Sequence, residues 1–351
     1  MMVQSVEAGT MSSALVRARL PRWSFAGIAA GVIAATMALF AATPLQGRIG
    51  FVLVATGLYV LVQTVASSLV EGRRAAMNRL VTSVVVVCTC AAVLPLVAVL
   101  GFTIVKGVTV LNGSFLTHTM RAVAEQDPAG GIYHAMIGTL EQVGLATTMA
   151  VPFGLLVAIY LVEYSTGRLG RVVSFFVDVM TGLPSIVAGL FIFALWILAL
   201  GHSFSGFAGS LALAILMLPT VVRSAEEMLK IVPDSLREGS YALGIPKWVT
   251  VVRIVLPTAL AGIVTGVMLA IARVTGETAP LLLTVFGNPA LNSNPFSGAQ
   301  ASLPLFVFGE AGLPNETAIN RAWAAALVLI LIVLVLNIVA RTIARFTGVR
   351  S

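Results

Sequence analysis

Eight apolar stretches follow one another along this chain, at 24–42, 50–70, 81–105, 136–161, 172–200, 207–222, 258–286 and 322–344, and nothing constrains its fold more. A helix needs about 20 residues to cross a hydrocarbon core roughly 30 Å thick, and most of these stretches reach that length. The sixth is short, and Pro219 near its end blurs its boundary. A closed barrel would show alternating segments of about ten residues instead, and the sequence has none. Hydrophobic residues are 58% of the 351 and charged ones 10%, with a mean hydropathy of +1.01, which excludes a soluble domain of this length. The sequence therefore predicts an all-α integral membrane protein. The stretch 24–42 follows Arg17, Arg19 and Arg22, as in a signal peptide. It is long enough to span, lacks a clear small-x-small cleavage site and is soon followed by another span, so it is expected to be retained.

The formal charge of +7 sits in short clusters between apolar runs rather than on one amphipathic face, so it reads as topology and not as a nucleic-acid surface. With the amino terminus in the cytoplasm, 16 of the 21 basic residues fall in cytoplasmic segments. Arg48, Lys106, Arg121 and Arg321 fall outside, and Arg273 lies within a span. That asymmetry supports eight spans with both termini cytoplasmic. Two external segments, 106–135 and 287–321, are long enough that only packing on neighbouring helices or a partner is expected to order them. Cys88 and Cys90, two apart in an apolar helix, point to different sides and are expected to be packing residues. His118, His134 and His202 lack metal-ligand spacing, so no metal site is expected. Pro184 should kink the fifth span, with Gly182 and Gly189 allowing close helix contact.

The internal segment from Arg223 to Pro257 carries signals of folded structure. In VPDSLREGSYALGIPKWVTVVRIVLP, Ser235 and Glu238 have capping-box spacing, and Asp234 offers an alternative cap. Gly244 can close that helix in a left-handed conformation, Pro246 suits the first turn of another, and the second helix should stop before Pro257. Such a two-helix lug, with Tyr241, Ala242, Leu243 and Trp248 as apolar contacts, suits either a partner's groove or the lipid surface.

Glu238, Gly244 six residues later, then Ile254, Leu256 and Pro257 resemble the EAA loop of ABC importer permeases, E-A-A-x3-G-x9-I-x-L-P. Gly239 and Ser240 stand where the two alanines would be. The resemblance implies a coupling element at 234–257 that sits in a cleft of an ATP-hydrolysing subunit. Adding GIVTGVMLAIARVTGETAPLL, LPSIVAGLFIF and LPTVVRSAEEMLKIVP, roughly residues 76–346 look like the PstA-type permease subunits of bacterial high-affinity phosphate importers. This implies the type I ABC importer permease bundle, a six-helix core at 76–351 preceded at 1–75 by a cytoplasmic terminus and two additional spans. It also implies an inner-membrane location and three kinds of partner: ATP-binding subunits, two in number, a homologous PstC-type permease and an extracytoplasmic phosphate-binding protein. No G-x-x-x-x-G-K-[ST] loop occurs, so ATP would be used by the partner and no cofactor is expected on this chain. Neither H-E-x-x-H nor G-x-S-x-G is present, and the expectation is a transport subunit rather than an enzyme. A permease for sulfate or molybdate would carry a similar loop, though ARVTGETAP argues against it. A secondary carrier or channel would often show internal repeats, which are not evident, and would leave the loop without a role.

Arg273 and Glu277 put opposite charges inside the seventh apolar stretch. Counted from Thr258, Arg273 lies about 22 Å along a helix and should share one face with Glu277, where an ionisable group costs about 2.5–3.5 kcal/mol. One reading is a self-neutralising pair that pins the helix. The other, strengthened by the resemblance, is a station on an anion path in which Arg273 binds phosphate and Glu277 competes for it afterwards. Pro280 should open the backbone beside Glu277. Thr275 and Thr278 either add hydroxyl donors there or bond their own helix backbone. Arg223 is either a positive-inside anchor or a lining of the inner exit.

Overall fold

The computed structural model describes residues 20–43 and 47–347, which are helical apart from connecting segments and one isolated bridge between Phe286 and Gln300. Arg17, Arg19 and Arg350 of the topology count lie outside the described residues. The chain divides into two compact units, one up to Leu100 and one from Gly101 onward.

The first unit holds α1 (Arg22–Ala42), α2 (Arg48–Val70) and most of α3 (Arg73–Val110). Helices α1 and α2 pack together, with the Phe40 and Phe51 rings edge to face at 5.4 Å. Glu71, buried in the turn between α2 and α3, accepts hydrogen bonds from Ser67 Oγ at 2.9 Å, the Leu20 amide at 2.7 Å and Arg79 at 2.5 Å. A buried carboxylate is tolerated only when paired in this way. Arg79 also lies 4.5 Å above the Phe25 ring, so one charge cluster staples all three helices at one end. Away from that staple, α2 and α3 line an apolar groove of about 940 Å³ whose wall includes Cys88 and Cys90. Both cysteines are exposed, so the expected packing role is not found.

The second unit begins with α4 (Gly113–Thr117) and α5 (Tyr133–Ile159), which ends in a π-helical turn at Tyr160–Tyr164. Next come α6 (Arg168–Thr181), α7 (Ser185–Ile192) with a π-helical extension at Phe193–Ala199, and α8 (Gly206–Ile231). They are followed by α9 (Asp234–Ala242), α10 (Lys247–Thr250), α11 (Leu256–Thr275), α12 (Ala279–Thr284), α13 (Leu303–Ala311) and α14 (Glu316–Thr347). Val143, Ala146 and Ala150 of α5 meet Leu213, Met217 and Val221 of α8, with Ala270 and Val274 of α11 and Leu281 of α12 completing the central core. Among the described residues seven helical segments are long and apolar enough to cross a membrane, and α6 with α7 makes an eighth if that bent pair is one span.

Two expected boundaries move. The kink at Pro184 is a full break, with α6 and α7 at 105°. Pro184 has no amide hydrogen and disfavours the helical conformation at Leu183, so α6 closes at Gly182. Of the two glycines only Gly189 makes the close approach: a Cβ there would lie 2.7 Å from Pro280 Cα, so α7 and α12 touch backbone to backbone. The sixth stretch does not end at 222. Pro219 is buried inside α8, and packing against α5 and α11 carries the helix on to Ile231 despite the missing hydrogen bond.

The two long segments expected outside, 106–135 and 287–321, are held by specific hydrogen bonds as well as by packing. The Asn292 amide donates to the carbonyls of Ser297, Gly298 and Ala299 at 2.9, 3.2 and 3.1 Å. Gln300 is tied to α5 through Gln142 at 2.9 Å and Glu141 at 2.5 Å. Arg321, almost wholly buried in the first turns of α14, donates to Glu310 at 2.7 Å and to the carbonyls of Asp127 and Glu125 at 2.6 and 2.9 Å. The residue counted as a topology cation is thus the bolt between these two long segments.

Candidate functional site

The lug forms, with a different internal logic. Gly244 adopts φ 73°, a left-handed conformation open to glycine, and its amide bonds to the Tyr241 carbonyl at 2.9 Å to close α9. The capping box does not form. Pro233 occupies the N-cap, where it has no side-chain acceptor, and Ser235 and Glu238 remain exposed. Asp234 turns instead to Arg237 at 3.1 Å. Ser240 replaces an alanine of the motif usefully: its hydroxyl meets that of Thr250 at 2.7 Å, both residues are buried, and α9 is thereby locked to α10. Gly239 faces open space.

Pro257 does not stop the second lug helix. A π-helical turn at Val251–Val255 sends the Leu256 amide to the Val251 carbonyl, and Pro257 falls in the first turn of α11, where a missing amide hydrogen matters least. The consequence is one helical rod, Lys247–Thr275. Its root is firm: Val255, Ala259 and Ile263 pack with Ala158 of α5 and with Ala225 and Leu229 of α8, while Leu256 lies against them and Ile254 is half-buried. Outward the lug presents Glu238, Tyr241, Ala242, Leu243 and Trp248, all exposed, with Leu243 at 80% and Trp248 at 65%. Large apolar side chains on a polar loop mark an interaction surface.

Two charged groups behind the lug were not singled out from the sequence. Arg237 of α9 reaches Glu163, buried in the π-helical turn that ends α5, with Nε and Nη2 both 3.0 Å from Oε1. Its Nη1 donates to the Val232 carbonyl at 2.6 Å and to Asp234, and its Nη2 donates to the Leu229 carbonyl at 2.9 Å. The signal for Glu163 was present as an acid at the margin of an apolar run, YLVEYS. Its partner, 74 residues away, was not.

At the far end of the rod the expected geometry of Arg273 and Glu277 changes. Helix α11 ends at Thr275, and the amides of Gly276 and Glu277 close it by bonding the carbonyls of Arg273 and Val274 at 3.3 and 3.1 Å. Pro280 does not loosen a continuous helix; it starts a separate one, α12, in whose first turn its ring fits. Arg273 is therefore in a last helical turn and Glu277 in the connection beyond it, so they do not share a helix face. Arg273 is exposed and Glu277 half-buried, and among the described residues neither has an ion pair or a side-chain hydrogen bond. Thr275 is buried and donates to the Ile271 carbonyl at 2.7 Å, within its own helix. Thr278 stands half-buried in the connection.

Arg223 belongs to a different cluster. It bonds Asp178 and Ser174 of α6 at 2.5 and 2.9 Å and Glu226 at 2.5 Å, and Glu226 also receives Lys230 at 2.7 Å. It ties α6 to α8, a role beyond the two readings of the sequence. Close approach of Gly266 to Ser224 puts this level of α8 beside α11 about two helical turns, roughly 10 Å, short of Arg273. The structure therefore gathers the lug residues, holds Arg273, Thr275, Glu277 and Thr278 at one helix break, and separates Arg223 from them.

Residues 150–348 match the family described as binding-protein-dependent transport system inner membrane component. The phosphate transport system permease protein PstA 1 of Mycobacterium tuberculosis (strain ATCC 25618 / H37Rv) is 50% identical over 279 residues, 79% of this chain and 90% of that one. The PstA protein of Mycobacterium leprae (strain TN) is 52% identical over 248 residues, covering 70% and 82%, and that of Yersinia pestis 41% over 249 residues, covering 71% and 83%. Among solved structures, the inward-facing MetNI methionine ABC transporter superposes with a TM-score of 0.53 at 21% identity, over 62% of this chain and 96% of that one, a likeness of fold.

Proposed function

We propose, because this chain belongs to the family of binding-protein-dependent transport system inner membrane components, that it is a permease subunit of an ATP-driven importer of inorganic phosphate. One observation carries the mechanism: the rod Lys247–Thr275 has the exposed lug at its first turn and the unpaired Arg273 in its last. Those 26 intervening steps span about 39 Å, so a displacement at the lug reaches the charged break through continuous helix.

The lug docks one ATP-binding subunit through Glu238, Tyr241, Leu243 and Trp248, and a homologous PstC-type permease docks the second. ATP hydrolysis belongs to those subunits, and this chain binds no cofactor. An extracytoplasmic phosphate-binding protein delivers the anion at the opposite side, and both termini lie in the cytoplasm. Arg273 faces the path closed by the second permease. Its guanidinium offers planar paired donors matched to phosphate oxygens, and an anion cannot enter a low-dielectric passage without such compensation. Glu277, not bound to Arg273, accepts a hydrogen bond from the O–H of hydrogen phosphate, a group sulfate lacks, and Thr278 beside it adds a hydroxyl. A bare cation is a gap waiting for an anion.

The test is uptake by the complete complex in liposomes with internal ATP, comparing labelled phosphate with labelled sulfate. Phosphate uptake that stops without ATP is expected. Uptake of sulfate in its place, or phosphate exchange by this chain alone without ATP, would overturn the proposal.

A further inference from the structure

The exposed side of the lug explains docking, but its buried side raises a separate question: what makes the rest of the bundle follow? Helix α10 runs directly into α11. Helix α9 has no such continuity and follows α8 through the corner at Val232–Pro233. Arg237 crosses that corner. A guanidinium has five N–H donors, and here four make hydrogen bonds, from Nε to Glu163, from Nη1 to the Val232 carbonyl and Asp234, and from Nη2 to the Leu229 carbonyl, while Nη2 also lies 3.0 Å from Glu163. The Leu229 carbonyl lies in the last turn of α8, where it also receives the Val232 amide at a long 3.4 Å, and Val232 is the C-cap of that helix. Glu163 belongs to the terminal turn of α5, and this is the one ion pair joining α9 to α5 among the described residues.

We infer that Arg237 is the positioning residue that carries motion of the coupling helix α9 directly to the ends of α5 and α8, beside the route through α11, so that docking drives the three spans together. Both side chains are nearly enclosed, 12% exposed for Arg237 and 4% for Glu163, so water and salt do little to loosen the pair. Ser240 and Thr250 lock the two lug helices to each other, so the same push enters both routes. A planar fork is required, because lysine has three donors and cannot reach the same set. This inference rests on the lug being the docking element of an ATP-driven importer.

The experiment uses the complete complex in liposomes with Arg237→Ala, Arg237→Lys and Glu163→Gln. Two quantities are measured: phosphate moved per ATP hydrolysed, and the distance between nitroxide labels at Ser235→Cys on α9 and Leu140→Cys on α5, with Cys88 and Cys90 changed to serine. ATP hydrolysis is expected to continue while phosphate moved per ATP falls about tenfold in Arg237→Ala and about threefold in the two milder variants. The label distance should be unchanged by ATP in the otherwise unaltered chain and should shift or broaden with ATP in the variants. Should Arg237→Ala fail to assemble, the milder two carry the test. Transport per ATP within twofold of the parent, or uptake and hydrolysis lost together at a constant label distance, would overturn the inference. If the importer proves to carry another anion, the label distances still decide it.

Discussion

Arg273 and Arg237 stand near opposite ends of the same coupling apparatus, and they differ in what surrounds them. Arg237 makes four hydrogen bonds and an ion pair within its own chain, whereas Arg273 is exposed and has no partner among the described residues. A cation that is fully paired and buried transmits force, because separating it from its acceptors is costly. A cation left bare on an apolar helix costs insertion energy, and selection keeps such a residue for a partner outside the chain. Arg321 belongs with Arg237 and Arg223 lies between, with its side chain 27% exposed and one partner, Asp178, 66% exposed.

That contrast can be broken experimentally. The largest effect on stability belongs to Arg321→Ala, which leaves Glu310 and two loop carbonyls without their donor and should cost about 3–5 kcal/mol, read as a lower melting temperature in detergent. Arg273→Ala should leave the melting temperature unchanged yet lower ATP-dependent phosphate uptake on the order of 100-fold, as expected for about 2.7 kcal/mol lost from charged hydrogen bonds to the anion. A matching loss of stability would place Arg273 among the paired cations. Arg223→Ala should cost about 1 kcal/mol, because its ion pairs are partly open to solvent. The smallest change is Ser240→Ala, which restores the alanine of the motif. It should cost less than about 1 kcal/mol because the Thr250 hydroxyl keeps a longer contact with the Pro246 carbonyl, at 3.4 Å. Limited proteolysis of the lug would check it.

Hydropathy located the spans and local turn chemistry located the lug, because both depend on near neighbours: Gly244 must be left-handed wherever the rest of the chain lies. What escaped was of two kinds. Helix ends inside apolar sequence carry no compositional mark, so the break at Gly276–Thr278 was hidden by α12, whose six residues are as apolar as the span before it. Pro257 misled in the opposite sense, since a π-helical turn absorbed what a local rule reads as a stop. The second kind is pairing at long range. Arg237 with Glu163, Arg223 with Asp178 and Arg321 with the Asp127 carbonyl join residues 74, 45 and 194 positions apart. No periodicity in one sequence connects them, so each cation read as topology or went unremarked.

The central claim is that the bare charge at the end of the rod serves the anion and the paired charges serve the fold. ATP-dependent phosphate uptake by Arg273→Ala, in complexes shown to retain their ATP-binding subunits and their melting temperature, tests it most directly. The account predicts uptake lost on the order of 100-fold in an otherwise intact complex. Normal uptake would contradict it and reduce Arg273 to a bystander at the tip of α11.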